Sequence, residues 1–227
     1  MRKKIAVIVV LATIAVSTSS VYSNLLHAAQ HTASQVPGSY TIISPGNTTV
    51  TYDFSTGAGI NKWAYQPQAQ NNPPSTDSEP STPLDNYSRI AADDGITAGH
   101  VADRNNYAAH RFLFTLNESA ANITGLTVLW NGRGLYLFWL FGWHINSGGV
   151  NLHVWNVSAA GYDQLQATSS TVEENVTASL TTPSDYISPG GTITILVEQL
   201  RTSQGMFFYS YLATDYIRID VTHTEGP

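Results

Sequence analysis

The sequence predicts an all-β chain, a single antiparallel β-sandwich or jelly roll, and three observations predict it. Strand-like segments of four to eight residues, rich in β-branched and aromatic residues, recur along the chain. Turn signals such as Pro45-Gly46, Asp93-Asp94-Gly95, Pro189-Gly190-Gly191 and Ser203-Gln204-Gly205 separate them. No window holds a sustained 3.6-residue apolar period with caps, and no composition shift is strong enough to mark a second domain.

The first 29 residues read as a secretory signal peptide. Met1-Arg2-Lys3-Lys4 is a cationic n-region, Ile5 to Val16 is apolar, and small residues follow. The apolar run is shorter than a bilayer span, so the processed chain is not expected to cross a membrane. Residues 30–227 then form the sandwich domain, with an N-terminal extension and a polar loop over 66–85.

Within that domain Tyr40 to Ile43, Thr48 to Phe54 and Lys62 to Tyr65 read as strands. Residues 66–85 are a Pro-, Gln-, Asn- and Ser-rich tract with no apolar periodicity, which predicts an exposed loop. Extended structure resumes at Tyr87 to Ala91, and Arg111 to Leu116 reads as a central strand. Downstream, Tyr162 to Ala167, Glu173 to Leu180, Thr192 to Gln199, Phe207 to Tyr211 and Tyr216 to Val221 complete the set.

The densest apolar stretch lies between Ile123 and Asn156, which holds four of the five Trp residues. Leu126, Val128 and Trp130 alternate like one face of a strand, and Asn131-Gly132 predicts a hairpin turn after it. Leu135 to Ile145 is apolar or aromatic at nearly every position, so both faces of a strand there require burial. Asn146-Ser147-Gly148-Gly149 predicts a second hairpin, returning as Asn151 to Trp155. Trp130 and Trp155 are expected in the core.

Composition narrows the function classes. Loss of the leader leaves seven basic residues against 16 acidic ones, a net charge of −9, with Lys62 the one remaining lysine. A nucleic-acid partner, which needs a basic face, is therefore not expected. The charged fraction of 11% leaves Ser, Thr, Asn, Gly and Tyr to cover the surface. Asn47, Asn86, Asn117, Asn122, Asn156 and Asn175 each begin an N-x-[ST] acceptor pattern for glycosylation. The chain has no Cys, and a domain near 200 residues buries enough core to fold without disulfides.

Little in the sequence points to catalysis. Glu173 and Glu174 are adjacent on a strand and point to opposite faces, so they cannot serve as an acid/base pair. Apart from His27 and His31, which straddle the end of the leader, the seven His residues show no i, i+2 or i, i+4 pairing, and no phosphate loop, G-x-S-x-G elbow or Cys nucleophile occurs. Asp93 and Asp94, with Asp53 and Asp215, are weak candidates for Ca²⁺ ligands, but Asp in turns is more often a turn former. No cofactor, metal or enzymatic activity is expected.

The order Phe54…Lys62-Trp63-Ala64-Tyr65, Arg111-Phe112-Leu113-Phe114, Trp130-Asn131-Gly132, Leu152-His153-Val154-Trp155-Asn156, Gly161-Tyr162-Asp163-Gln164-Leu165, Ile195-Leu196-Val197-Glu198-Gln199 and Asp215-Tyr216-Ile217-Arg218-Ile219 resembles β-sandwich modules of archaeal and bacterial secreted or surface-layer proteins. These modules are similar to jelly-roll carbohydrate-binding domains. The resemblance implies fold and an extracellular location, and it carries no catalytic residue.

Tyr136, Phe138, Trp139, Leu140, Phe141 and Trp143 are the candidate interface or ligand platform. Aliphatic residues between the rings favour a protein interface over stacked sugars. The expected function is a structural subunit that assembles with its own copies into a cell-surface filament or layer. The alternative is a non-catalytic carbohydrate-binding module.

Overall fold

The computed structural model describes residues 46–78, 81–84 and 86–225. The signal peptide, the strand expected at Tyr40 to Ile43 and the N-terminal extension lie outside the described residues. Twelve strands form two antiparallel sheets, and the described residues contain no α-helix. None of their helices is long and apolar enough to cross a membrane.

The first sheet is built on two 17-residue strands, β6 (Ile123–Trp139) and β12 (Phe208–Thr224), paired antiparallel along nearly their whole length. On the outer edge of β12 lie β1 (Asn47–Asp53) and the short β4 (Ala98–Val101). On the outer edge of β6 lie β10 (Glu174–Leu180) and β7 (Trp143–Gly148). The second sheet runs in the order β3 (Ser81–Pro83), β2 (Lys62–Pro67), β5 (Tyr107–Thr115), β11 (Thr192–Thr202), β8 (Val150–Asn156), β9 (Gly161–Ala167).

Alternation puts one face of each sheet into a common core. Leu126, Val128 and Trp130 of β6 and Ile217, Ile219 and Val221 of β12 meet Phe112 and Phe114 of β5, Ile193 and Ile195 of β11, and Leu152 and Val154 of β8. Trp130 is 0% exposed, and its indole N–H donates to Thr214 Oγ1 at 2.9 Å. That hydroxyl also contacts His110 Nδ1 at 2.8 Å. Burial drives His110 down to about 3, with the neighbouring His100 pushing the same way, and drives His153 down to about 4. His153 Nε2 sits 3.8 Å from the Glu198 carboxylate in ion-pair geometry, but the desolvation of the ring outweighs it.

Five expectations are corrected. Asn131-Gly132 is not a turn: β6 runs straight through it, because the ladder to β12 on one side and β10 on the other fixes an extended backbone. The Asn146 to Gly149 segment is no hairpin either. β7 belongs to the first sheet and β8 to the second, so the chain changes sheet at Gly149 (φ 121°), where a Cβ would collide with the Thr168 carbonyl. Phe207 to Tyr211 and Tyr216 to Val221 are one strand interrupted only by a bulge, and Tyr87–Ile90 is a 3₁₀ turn. Trp155 faces outward, half-buried against Tyr162 with ring centroids 5.1 Å apart, and is not a core residue.

The polar tract after Pro67 is held to the sandwich along its described length. Ala69 and Pro74 are buried, Asn72 Nδ2 donates to the Gln199 carbonyl, Arg111 reaches the Asp77 carbonyl, and β3 adds to the edge of β2.

Candidate functional site

Beyond Leu135 the paired strands β6 and β12 leave the common core and, with β7, form a three-stranded aromatic tip. The run from Leu135 to Ile145 folds back on itself at Leu140 to Gly142, where the Leu140 N–H meets the Gly142 carbonyl and Phe141 takes a positive φ of 56°. Trp139 and Trp143 are thereby cross-strand partners on one face, together with Leu137 and Ile145. Tyr209, opposite Leu137, carries the same face onto β12, and its ring meets Trp143 edge-on at 5.2 Å.

The second face is packed tighter. Tyr136 stacks on Phe208 at 5.4 Å, Phe138 lies 4.9 Å from Phe208, and the Arg201 guanidinium covers the Tyr136 ring at 5.5 Å. Tyr136 is only 3% exposed, so it supports the tip from below and is not itself a contact surface. Burial pushes its hydroxyl up, with Arg201 pulling the other way.

The exposed part comes from two turns. Trp139, Leu140, Phe141 (98% exposed), Trp143 and Ile145 come from the β6–β7 hairpin, and Met206 and Phe207 come from the β11–β12 turn. Trp139 N–H donates to the Phe207 carbonyl at 2.7 Å and locks the two turns together. Between them a cleft of about 520 Å³ is lined by Trp139, Trp143, Gly205, Met206, Phe207 and Tyr209. The Tyr209 hydroxyl is already bonded to the Met206 carbonyl. Of the sequence candidates, the structure brings Trp139, Leu140, Phe141 and Trp143 to this surface, with Phe138 partly covered beneath it. Met206, Phe207 and Tyr209 were missed, although Met206-Phe207-Phe208-Tyr209 is an apolar run of the same kind as 135–145.

The acceptor asparagines divide by environment. Asn47, Asn86, Asn117 and Asn175 are exposed, whereas Asn122 and Asn156 are partly covered. Asn156 Nδ2, the atom a glycan would occupy, donates to Asp163 at 2.7 Å. Asp94 accepts from the Ile96 N–H and Asp53 from Ser55 and Tyr216, as turn-forming carboxylates do. Asp93 stands apart from them, close to Glu173 and Asp215.

These features define a two-sheet β-sandwich domain with an aromatic end. Residues 59–223 match the family AF_1625_C, described as "Uncharacterized protein, C-terminal domain", and the chain belongs to that family. No curated protein matches the sequence. Among solved structures the chain is similar to one described as "CBM4 structure and function", at 15% identity and a TM-score of 0.35, covering 74% of this chain and 99% of that one. It is also similar to TmCBM61 in complex with beta-1,4-galactotriose, at 12% identity and a TM-score of 0.34, covering 76% and 94%. Likeness at this level carries no ligand over to this chain.

Proposed function

We propose that the protein is an exported structural subunit that joins copies of itself end to end at the cell surface, with the aromatic tip as the acceptor. The composition of the tip supports this reading. Aliphatic Leu140, Ile145 and Met206 stand exposed among the rings, charge is absent from the cleft lining, and a protein partner is what covers such a surface.

The occupant is a second copy, on grounds of reach. β1 begins at Asn47, opposite Thr224, whereas the tip begins at Phe208 opposite Phe138. The separation along β12 is about 50 Å at ~3.3 Å per residue. Gln35 to Ile43, the apolar end of the preceding segment, spans at most about 43 Å back from Asn47 even when fully extended. In this reading that segment is supplied to the tip by a neighbouring copy. A contact of that kind is heterologous and propagates along one direction unless it closes into a ring.

One observation favours a second reading, carbohydrate binding. Trp139, Trp143 and Tyr209 frame a cleft of small-ligand size, and sugar rings stack on such faces. The double variant Trp139→Ser/Trp143→Ser separates the two. Self-assembly predicts that parent chains form large species in sedimentation while the variant stays monomeric with an unchanged melting temperature. Parent protein that is monomeric at high concentration yet retained on insoluble polysaccharide, with retention lost in the variant, would replace assembly with sugar binding.

A further inference from the structure

A second site lies away from the tip, on the outer face of the first sheet. The bulge in β12 sets Thr214 against Gly132 and Tyr216 against Asn131, which leaves Asp215 as the inserted residue. Asp215 is 0% exposed. The turn over Asp93 to Gly95 crosses above it, tied down by the bridge between Ala91 and Tyr216 and by the Gly95 N–H, which donates to Asp215 Oδ2 at 3.0 Å. Glu173 arrives from the start of β10. Asp93, Glu173 and Asp215 each offer an oxygen, and all three lie within 4.8 Å of one another. That spread is about the diameter of a Ca²⁺ coordination sphere, given Ca–O distances of ~2.3–2.6 Å.

Acidic side chains gather at surfaces without ions, but one buried atom here points to a ligand. Asp215 Oδ1 is buried and has no hydrogen-bond partner. Asn131 is 5% exposed and its Oδ1 is likewise without a partner, while Nδ2 of the same carboxamide lies 3.2 Å from Asp93 Oδ1 and 3.1 Å from Asn175 Oδ1. In this orientation the amide donates to both neighbours; a cation bound between them would turn it over, so that its oxygen joins those of Asp93 and Asn175.

We propose that Asp93, Glu173 and Asp215, completed by Asn131, bind a Ca²⁺ ion that ties the turn over Asp93 to Gly95 onto β6, β10 and β12. An all-oxygen donor set without His or Cys selects a hard cation, and its irregular geometry suits Ca²⁺ better than Mg²⁺.

The test is calcium titration calorimetry and thermal melting of the full chain after EDTA treatment, beside Asp215→Asn and Glu173→Gln. The parent should bind one Ca²⁺ per chain and melt about 5–10 °C higher at a calcium concentration about 100 times Kd. Both variants should lose at least tenfold in affinity, which at the same calcium concentration cuts the shift to about half or less. In EDTA they should melt no lower than the parent, because removing one negative charge relieves the repulsion. A parent with neither heat nor shift overturns the site, and so does parent-like affinity in both variants. Trp139→Ser/Trp143→Ser should keep full calcium affinity, so failure of the tip and failure of this site are read separately.

Discussion

Strands β6 and β12 carry aromatic residues in both halves of their shared ladder, yet the two halves have opposite environments. Where they cover the second sheet, Trp130 is sealed among aliphatic neighbours with its one polar atom bonded to Thr214. Past Leu135 the same pair runs on as a three-stranded tip, and Trp139 and Trp143 stand half exposed. Between the halves lies a buried polar layer, in which Ser210 Oγ accepts from the Ala108 N–H and Ser203 Oγ bonds the Ser210 N–H and the Ala102 carbonyl. Aromatic content alone therefore says nothing about role. Coverage by a second layer decides whether a Trp stabilises the fold or offers a contact.

The largest expected effect breaks the covered half. Trp130→Ala should destabilise by about 3–5 kcal/mol in denaturant unfolding, from the emptied site and the lost indole hydrogen bond to Thr214. Trp155→Ala, which removes a half-buried ring from an outer face, should cost about 1–2 kcal/mol. Equal costs would mean that coverage is not what separates them.

Next comes the pH response of the buried histidines, which belongs to the covered half alone. In the unfolded chain His110 and His153 titrate near their ordinary value of about 6.5, and in the fold they are held near 3 and 4. Between these values the unfolded state binds more protons, so stability is whole above about pH 6.5 and falls as the pH drops toward 4. His110→Asn should flatten that fall by about 2–4 kcal/mol, read from denaturant midpoints at pH 7 and pH 4. An unchanged slope would remove His110 from the account.

How much of this was legible depends on whether the information is local. Alternation revealed β1, β2, β5, β9, β10 and β11, and the apolar excess of 135–145 marked the tip. Asn131-Gly132 misled because local turn preference was overridden by ladders on both sides, which no local window contains. β12 was split in two because an inserted Asp215 breaks a two-residue period. The Asp93, Glu173 and Asp215 cluster is assembled from three distant segments, so Asp93 and Asp215 could be grouped with Asp53 and Asp94 as candidates while Glu173 was not joined to them. Trp155 shows the converse limit: alternation gives two faces, and only the position of the strand in its sheet says which one is covered.

The smallest structural change carries the functional contrast. The chain has no Cys, so one Cys can be placed at each proposed contact, Ile42→Cys in one population and Phe141→Cys in another. Head-to-tail assembly predicts that a short bismaleimide links the two populations when mixed, and links neither to itself when each is kept apart. Phe141→Cys chains linking to one another would mean a closed tip-to-tip dimer. Monomers throughout, at concentrations where parent chains are expected to polymerise, would contradict the claim that the aromatic tip receives a second copy.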